Sequence, residues 1–542
     1  MDASSPAAIL EPVAATSGAA ATRSPRTRGA RLAALAGGAA VPLLALAKLA
    51  IHLATTGAFG YRYFVDELYF LACARHLAWG YVDMPPLFPA LTALVSATLG
   101  ESLLAIRLVP ALAGAALVLM TGRLARELGG GRFAQVLAAL AVLTAPAYLA
   151  LHSIYTMNCL EPLLWTGCAW VLVRLVHGGD ARLWLLFGAL TGVGMLNKQS
   201  MAFFAVAAAG AVLATPLRRA LRGPWPWLGA ALALALCAPN LVWDAAHGFP
   251  HLEMLRNIAA QGRDVELSPL AFLAQQVLYL DPLALPLWLG GLLWTVSAPD
   301  GKRYRVLGLT WLGVIAEMLL LHGRPYYPMP AYPMLLAAGG VAFERWLPAT
   351  AGGMRRLLRR ALPAVLVAAG AVLAPLVLPC LPPELYVRYA HALGFGQPRI
   401  ETHRLGPLPQ LFADRFGWPE MAHEVARIYH ALPPADRAQA AIFGQNYGQA
   451  GAIDLFGPRL GLPPALSGHL SYWWWGPHGA SGQVMIVLDD DRETLERIFA
   501  DVRLAGHVSH PYSMPYQHFD VFVCRRPRVT LQELWPQLKQ YH

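Results

Sequence analysis

Long apolar runs recur along the chain and are parted by short polar connections. About eleven reach spanning or near-spanning length, near residues 32–53, 103–124, 134–151, 160–176, 183–196, 201–217, 227–242, 282–296, 306–321, 327–343 and 362–381. The fifth and sixth are short and flank Asn197-Lys198-Gln199, and the tenth is laced with Pro328, Pro330 and Pro333. From residue 382 the pattern changes. Residues 382–409 read as a linker bearing Pro, His and Arg. Beyond it, 440–443, 484–488 and 519–524 read as strands, and 419–432 and 492–502 as helices. The pattern predicts an α-helical polytopic membrane protein with a small C-terminal α/β domain. Its expected divisions are a disordered tail over 1–30, a transmembrane domain over 31–381, and a linker plus α/β domain over 382–542.

Charge orients this arrangement. With the N-terminus inside and strict alternation, the inner connections receive clusters such as Arg123/Arg126/Arg132, Arg218/Arg219/Arg222 and Arg355/Arg356/Arg359/Arg360, while the outer ones receive few cations. That is the positive-inside pattern. The loop at Asp66, the turns at Lys198 and Arg324, and everything after Leu381 then share the outer face. Lys48, late in the first span, is expected to snorkel outward. In the long outer segment 244–280, Leu270, Leu273, Val277 and Leu280 recur at near-helical spacing, as in an interfacial helix.

Composition supports the class. Of 542 residues, 56% are hydrophobic and only 14% charged, against about 25% charged in soluble domains, and mean hydropathy is +0.44. The net charge of +10 lies between spans and forms no basic stripe with interleaved aromatics, so no nucleic-acid partner is expected. The six cysteines show no CxxC spacing, so neither a disulfide framework nor a zinc site follows, and no cofactor is expected.

Three polar constellations converge on the outer face. The stretch YRYFVDELYFLACARHLAWGYVDMPPLFPAL holds Asp66, Glu67 and Asp83. Bare acids in hydrocarbon are costly, and a carboxylate facing a site can take a proton from an attacking hydroxyl. Capping of a first helical turn by Asp66 and Glu67 is the competing reading. In YTMNCLEPLLW, Asn158 and Glu161 lie three apart, on one helix face. Lys198 in LNKQS, and Arg324 with Tyr326 and Tyr327 in HGRPYYPMPAYP, fall where a lipid phosphate would sit. The tail carries FGQNYGQAGAIDLFG and SGHLSYWWWGP, which read as packing of the α/β domain onto the membrane domain. Trp473, Trp474 and Trp475 are alternatives for sugar stacking.

These motifs, in this order, resemble the polytopic lipid-linked-sugar transferases. That group includes the protein O-mannosyltransferases and the aminoarabinose transferases that act on lipid A. Asp66-Glu67, a helix, then GYVDMPPL resembles their first outer loop, and NCLEPLLW, LNKQS, GRPYYPMPAYP, RFGWPEMA and NYGQAGAID extend the likeness to about Gly476. The aminoarabinose branch has Arg three residues after the Asp and Lys before the Pro-Pro, where this chain has Tyr69 and Met84.

The resemblance implies a GT-C fold and an inverting hexosyl or pentosyl transfer from a polyprenyl-phosphate carrier to a hydroxyl acceptor, at the periplasmic face of a bacterial inner membrane. It implies Asp66 as the base with Glu67 beside it. Asp83, Asn158 and Glu161 would bind acceptor or sugar, and Lys198, Arg324 and Tyr327 would hold the lipid phosphate. The expected partners are the donor lipid, the bilayer and a hydroxyl acceptor. The rival readings are a transporter or flippase for a lipid-linked sugar, and a non-catalytic sugar- or lipid-binding membrane protein.

Overall fold

The computed structural model describes residues 28–262, 267–350, 352–396 and 404–542. The tail expected over 1–30 falls almost wholly outside them, as does part of the expected linker. The rest of that linker includes a helix, Pro383–Ala392. Helices dominate up to that point. Four of those described are long and apolar enough to cross a membrane: Leu103–Glu127, Met157–Val176, Trp225–Ala246 and Gly353–Leu376. Two further pairs meet that test only together, and each is sharply bent. Met201–Leu213 turns by 98° into Pro216–Arg222, and Pro269–Tyr279 by 94° into Pro282–Val296.

The eleven runs read from the sequence are therefore not eleven straight spans. The helix Leu183–Asn197 has 15 residues, or about 22 Å at 1.5 Å per residue, short of the ~30 Å hydrocarbon core. The tenth run becomes a 3₁₀ turn, Met329–Ala331, and a 15-residue helix, Tyr332–Trp346. Its prolines cannot continue a helical ladder, so they gather at the helix start. Small residues let these helices approach closely. A Cβ on Gly188 would collide with the backbone of Gly229, and one on Gly291 with the Leu335 carbonyl. Lys48 does not snorkel. It is fully buried and its ammonium donates to the Tyr148 carbonyl at 3.0 Å.

The C-terminal layer is a five-stranded sheet in the order β2-β1-β3-β5-β4. The strands are β1 Ala440–Phe443, β2 Ala465–Leu466, β3 Val484–Leu488, β4 Phe499–Val508 and β5 Phe519–Pro527. The first three pair in parallel, and β5 runs antiparallel to β3 and β4. All five residues of β3 are buried, which explains its unbroken apolar run. The helix expected over 492–502 ends at Ile498, and β4 begins at once. There, pairing with β5 overrides the helical spacing of the side chains.

This layer packs on the first outer loop. The helix Val65–Arg75 shares a core with Trp418, Met421, Ala450 and Ile453. Gly448 and Gly451, in the helix Tyr447–Phe456, admit Val65 and Leu68 so closely that a Cβ at either would press on them. The glycine-rich NYGQAGAID motif thus serves packing of the tail onto the membrane part. Of the proposed interfacial stripe, Leu270 and Leu273 are exposed on Pro269–Tyr279, while Leu280 is buried.

Candidate active site

The helix Val65–Arg75 begins with its two acids facing different surroundings. Glu67 is fully buried. Its Oε2 accepts from the Phe64 amide at 2.8 Å and Arg107 Nη2 at 2.9 Å, and its Oε1 from Arg107 Nε at 2.8 Å and the Tyr155 amide at 2.7 Å. Four donors therefore engage this carboxylate. That is the setting of a structural anchor, which holds the start of the helix beside Asp66. Asp66, one residue earlier, is only partly buried, and its Oδ1 accepts from the Tyr447 hydroxyl at 2.8 Å.

Asp83 returns to the same place from the other end of the loop. It accepts from the Tyr69 phenol at 2.9 Å, whose oxygen lies 2.8 Å from Ser471 Oγ. Tyr69, where the aminoarabinose branch has Arg, thus supplies a neutral donor to the acid, and Met84 is buried. Burial pushes the Asp83 carboxyl up to about 7, the Tyr69 hydrogen bond opposes this, and the neighbouring charge of Asp66 adds to it. The two carboxyls thus lie in mutual electrostatic reach, and the charge of Asp66 favours the neutral form of Asp83.

This has a consequence for stability. The folded-state pKa of Asp83 lies above the unfolded value of about 3.9, so its contribution is fully present below that value and is lost as pH rises through about 7. Asp83→Asn keeps an acceptor for Tyr69 and is expected to flatten the fall in unfolding temperature between about pH 4 and 7. Thermal unfolding of both proteins in detergent across that range checks it, and parallel curves would refute it.

The cationic half is built from three connections. Lys198 follows the helix Leu183–Asn197, and its ammonium donates to Asn158 Oδ1 at 2.6 Å and to Glu161 Oε2 at 3.3 Å. Ser200 Oγ donates to Glu161 Oε1. The ammonium also stands 4.7 Å from the Tyr327 ring centre and 5.8 Å from that of Tyr326, a cation–π arrangement. Arg324 is half-buried and within electrostatic reach of Tyr327. The turn carrying them is fixed by Gln276, which donates to the Pro325 carbonyl at 2.7 Å. Asn158, Glu161, Lys198 and Tyr327, far apart in sequence, are therefore one cluster, with Arg324 at its edge.

His251 lies near Asp83. It sits at the start of Pro250–Ala260, faces the Val82 main chain next to Asp83, and lies in the field of Lys198. Its Nδ1 is buried without a hydrogen-bond partner, and burial holds its pKa below the usual imidazole range. Sequence reasoning missed His251, because a histidine in a long polar connection carries no signal. It also missed Arg107, which was legible as a lone cation inside an apolar run. Among the described residues no group of three or more His, Cys, Asp or Glu side chains could hold a metal ion. Trp475 stacks on His76 at 4.2 Å, and Trp473 donates to the Trp535 carbonyl.

Comparison with known proteins bears on this arrangement. Residues 83–243 match the family model described as dolichyl-phosphate-mannose-protein mannosyltransferase, a stretch that holds Asp83, Asn158, Glu161 and Lys198. No curated protein matches the chain in sequence. The crystal structure of ArnT from Cupriavidus metallidurans bound to undecaprenyl phosphate superposes with a TM-score of 0.57 at 16% identity, covering 89% of this chain and 97% of that one. Its apo state gives the same score over 90% and 98%. The archaeal oligosaccharyltransferase AglB from Archaeoglobus fulgidus, in complex with an inhibitory peptide and a dolichol-phosphate, gives 0.50 at 12% identity over 83% of this chain and 65% of that one. The chain has the GT-C fold of these membrane proteins, as the resemblance in its motifs implied.

Proposed function

We propose that this chain, which has the ArnT-like fold and carries a mannosyltransferase-type segment, is a glycosyltransferase that moves a sugar from a polyprenyl-phosphate carrier to a hydroxyl acceptor. The observations that carry the reading are an acid pair, Asp66 and Asp83, and a cluster that gathers Asn158, Glu161 and Lys198 from separate connections, with His251 facing Val82 and in the field of Lys198. The acceptor oxygen attacks the anomeric carbon and its proton passes to Asp66. The bond from that carbon to the phosphate oxygen breaks, its electrons leave with the polyprenyl phosphate, and the anomeric centre inverts. Asp66 suits the base because it is the position that the resemblance to the lipid-linked-sugar transferases matches to their base. Asp83, with its raised pKa, steers the acceptor or sugar through hydrogen bonds, and Asn158 and Glu161 do so from the other side.

Negative charge grows on the departing phosphate, and prearranged cations stabilise it most where water is scarce. Lys198 and Arg324 fill that role in this reading, with Tyr327 beside them. Lys198→Ala is expected to raise the apparent donor KM and lower kcat/KM about tenfold to a hundredfold, the worth of a charge-assisted contact of roughly 1.5–3 kcal/mol. Titrating donor with purified enzyme tests it. Unchanged donor kinetics in the Lys198→Ala/Arg324→Ala protein would return both residues to membrane anchoring.

The site belongs on the periplasmic face of the inner membrane, since the inner connections hold the cation clusters. A topology reporter fused after Leu381 then reads periplasmic, and a cytoplasmic signal there would refute the orientation.

A further inference from the structure

Residues 538–542 bridge the loop at Gly468 and the helix that carries His251. Gln540 donates its amide to the Gly468 carbonyl and accepts from the Leu470 amide, each at 2.9 Å. The approach is so close that a Cβ on Gly468 would collide with the Leu538 carbonyl. On its other side, Lys539 pairs with Glu253 at 2.8 Å, and Asn257 donates to the Tyr541 carbonyl at 2.8 Å. Glu253 and Asn257 lie on the helix that carries His251. Tyr541 is buried, and the Lys539 ammonium lies over the rings of Trp473 and Tyr541.

The gripped loop, Gly468 to Ser471, leads to both acids. Ser471 Oγ contacts the Tyr69 phenol and accepts from the Val82 amide at 3.2 Å, beside Asp83. His469 is buried. Its Nδ1 accepts from the Tyr447 amide at 3.2 Å, so Nε2 carries the proton and donates to the His542 oxygen at 2.9 Å. Its ring stacks on Tyr447 with centres 5.1 Å apart. Tyr447 in turn donates to Asp66. A connected path therefore runs from residue 542 through His469 and Tyr447 to the carboxylate.

We propose that segment 538–542 is a clasp, and that His469 and Tyr447 are positioning residues through which it sets the orientation of Asp66. The proposal rests on the reading of Asp66 as the base. Neither residue need touch the substrate. Tyr447 holds one carboxylate oxygen and thereby fixes which lone pair the other presents to the acceptor. His469 fixes Tyr447 at its backbone and from one ring face.

The test uses the full-length protein in detergent or lipid, with pH–rate profiles at saturating donor. A hydrogen bond donated to a carboxylate favours its charged form. Its loss in Tyr447→Phe is expected to move the acid limb to higher pH by about one unit, with kcat down about tenfold and donor KM unchanged. Facing Asp66 are the Tyr447 hydroxyl and Asp83 from the loop, whose carboxyl titrates on the same limb; Tyr69, on the same helix, donates to Asp83, and burial pushes its phenol well above that range. His469→Ala and deletion of 538–542 are expected to move the limb in the same direction. His469→Gln, which can accept and donate at similar positions, should restore it. Acid limbs that coincide with wild type in folded Tyr447→Phe and His469→Ala, with donor KM alone altered, would overturn the clasp. The base assignment falls separately, on full activity in Asp66→Asn, so the two failures are distinguishable. Should the deletion fail to fold, His469→Ala still decides.

Discussion

Asp66→Asn is expected to lower kcat by about 10²–10⁴-fold, the usual cost of losing a general base. The substitution is close to isosteric. An Asn oxygen can still accept from the Tyr447 hydroxyl, so the contact between the first outer loop and the C-terminal layer persists. The helix start also tolerates it. The Phe64 amide at that start is held by Glu67, so Asp66 is not the cap. Donor binding should survive, because the lysine cluster stands on other connections. The prediction thus separates chemistry from folding at one atom. Initial rates at saturating donor and acceptor, with a thermal melt of the same preparation, check it. A folded Asp66→Asn protein that transfers sugar at near wild-type rate would remove Asp66 as the base.

The site's polar residues were legible because hydrocarbon makes charge expensive. Asp66, Asp83, Glu161, Lys198 and Arg324 stood out against apolar surroundings, and a single alternation put them on one face. In the structure Lys198 meets Asn158, Glu161 and Tyr327. What stayed hidden depends on pairing across the chain. Glu67 and Asp66 are adjacent and chemically alike, and only Arg107, 40 residues on, makes the first an anchor. Tyr447 sat in a motif read as packing, which it is, yet its hydroxyl reaches Asp66. In the tail, β1 and β3 matched their apolar runs residue for residue. By contrast, β4 was read as helix to residue 502, since nothing local at Phe499 announces a partner strand. Span number was the least legible, because prolines and bends divide apolar runs that hydropathy alone treats as whole.

Arg107→Ala is expected to destabilise the fold by about 3–5 kcal/mol, the cost of leaving a buried charge without its partner. Both side chains are almost wholly inaccessible, at 1% for Arg107 and 0% for Glu67. The guanidinium also donates to the Arg62 carbonyl at 2.8 Å, so its loss frees the strand of chain leading into the acid helix. Glu67 would keep the amides of Phe64 and Tyr155 and the field of the buried Arg415, without a cation hydrogen-bonded to it. Glu67→Gln should cost less, because a neutral amide needs no cation, although its NH₂ must face a donor from which Glu67 accepted. The two substitutions made together should cost less than their sum, since each leaves the other's partner stranded when made alone. Thermal unfolding of the two single variants and the double variant in one detergent measures that coupling. The same proteins also decide the role of Glu67. An anchor loses stability while the folded fraction keeps its acid limb and most of its kcat. If Glu67→Gln instead kept the wild-type melting temperature and lost kcat as severely as Asp66→Asn, Glu67 would be a reacting acid and the anchor reading would fall.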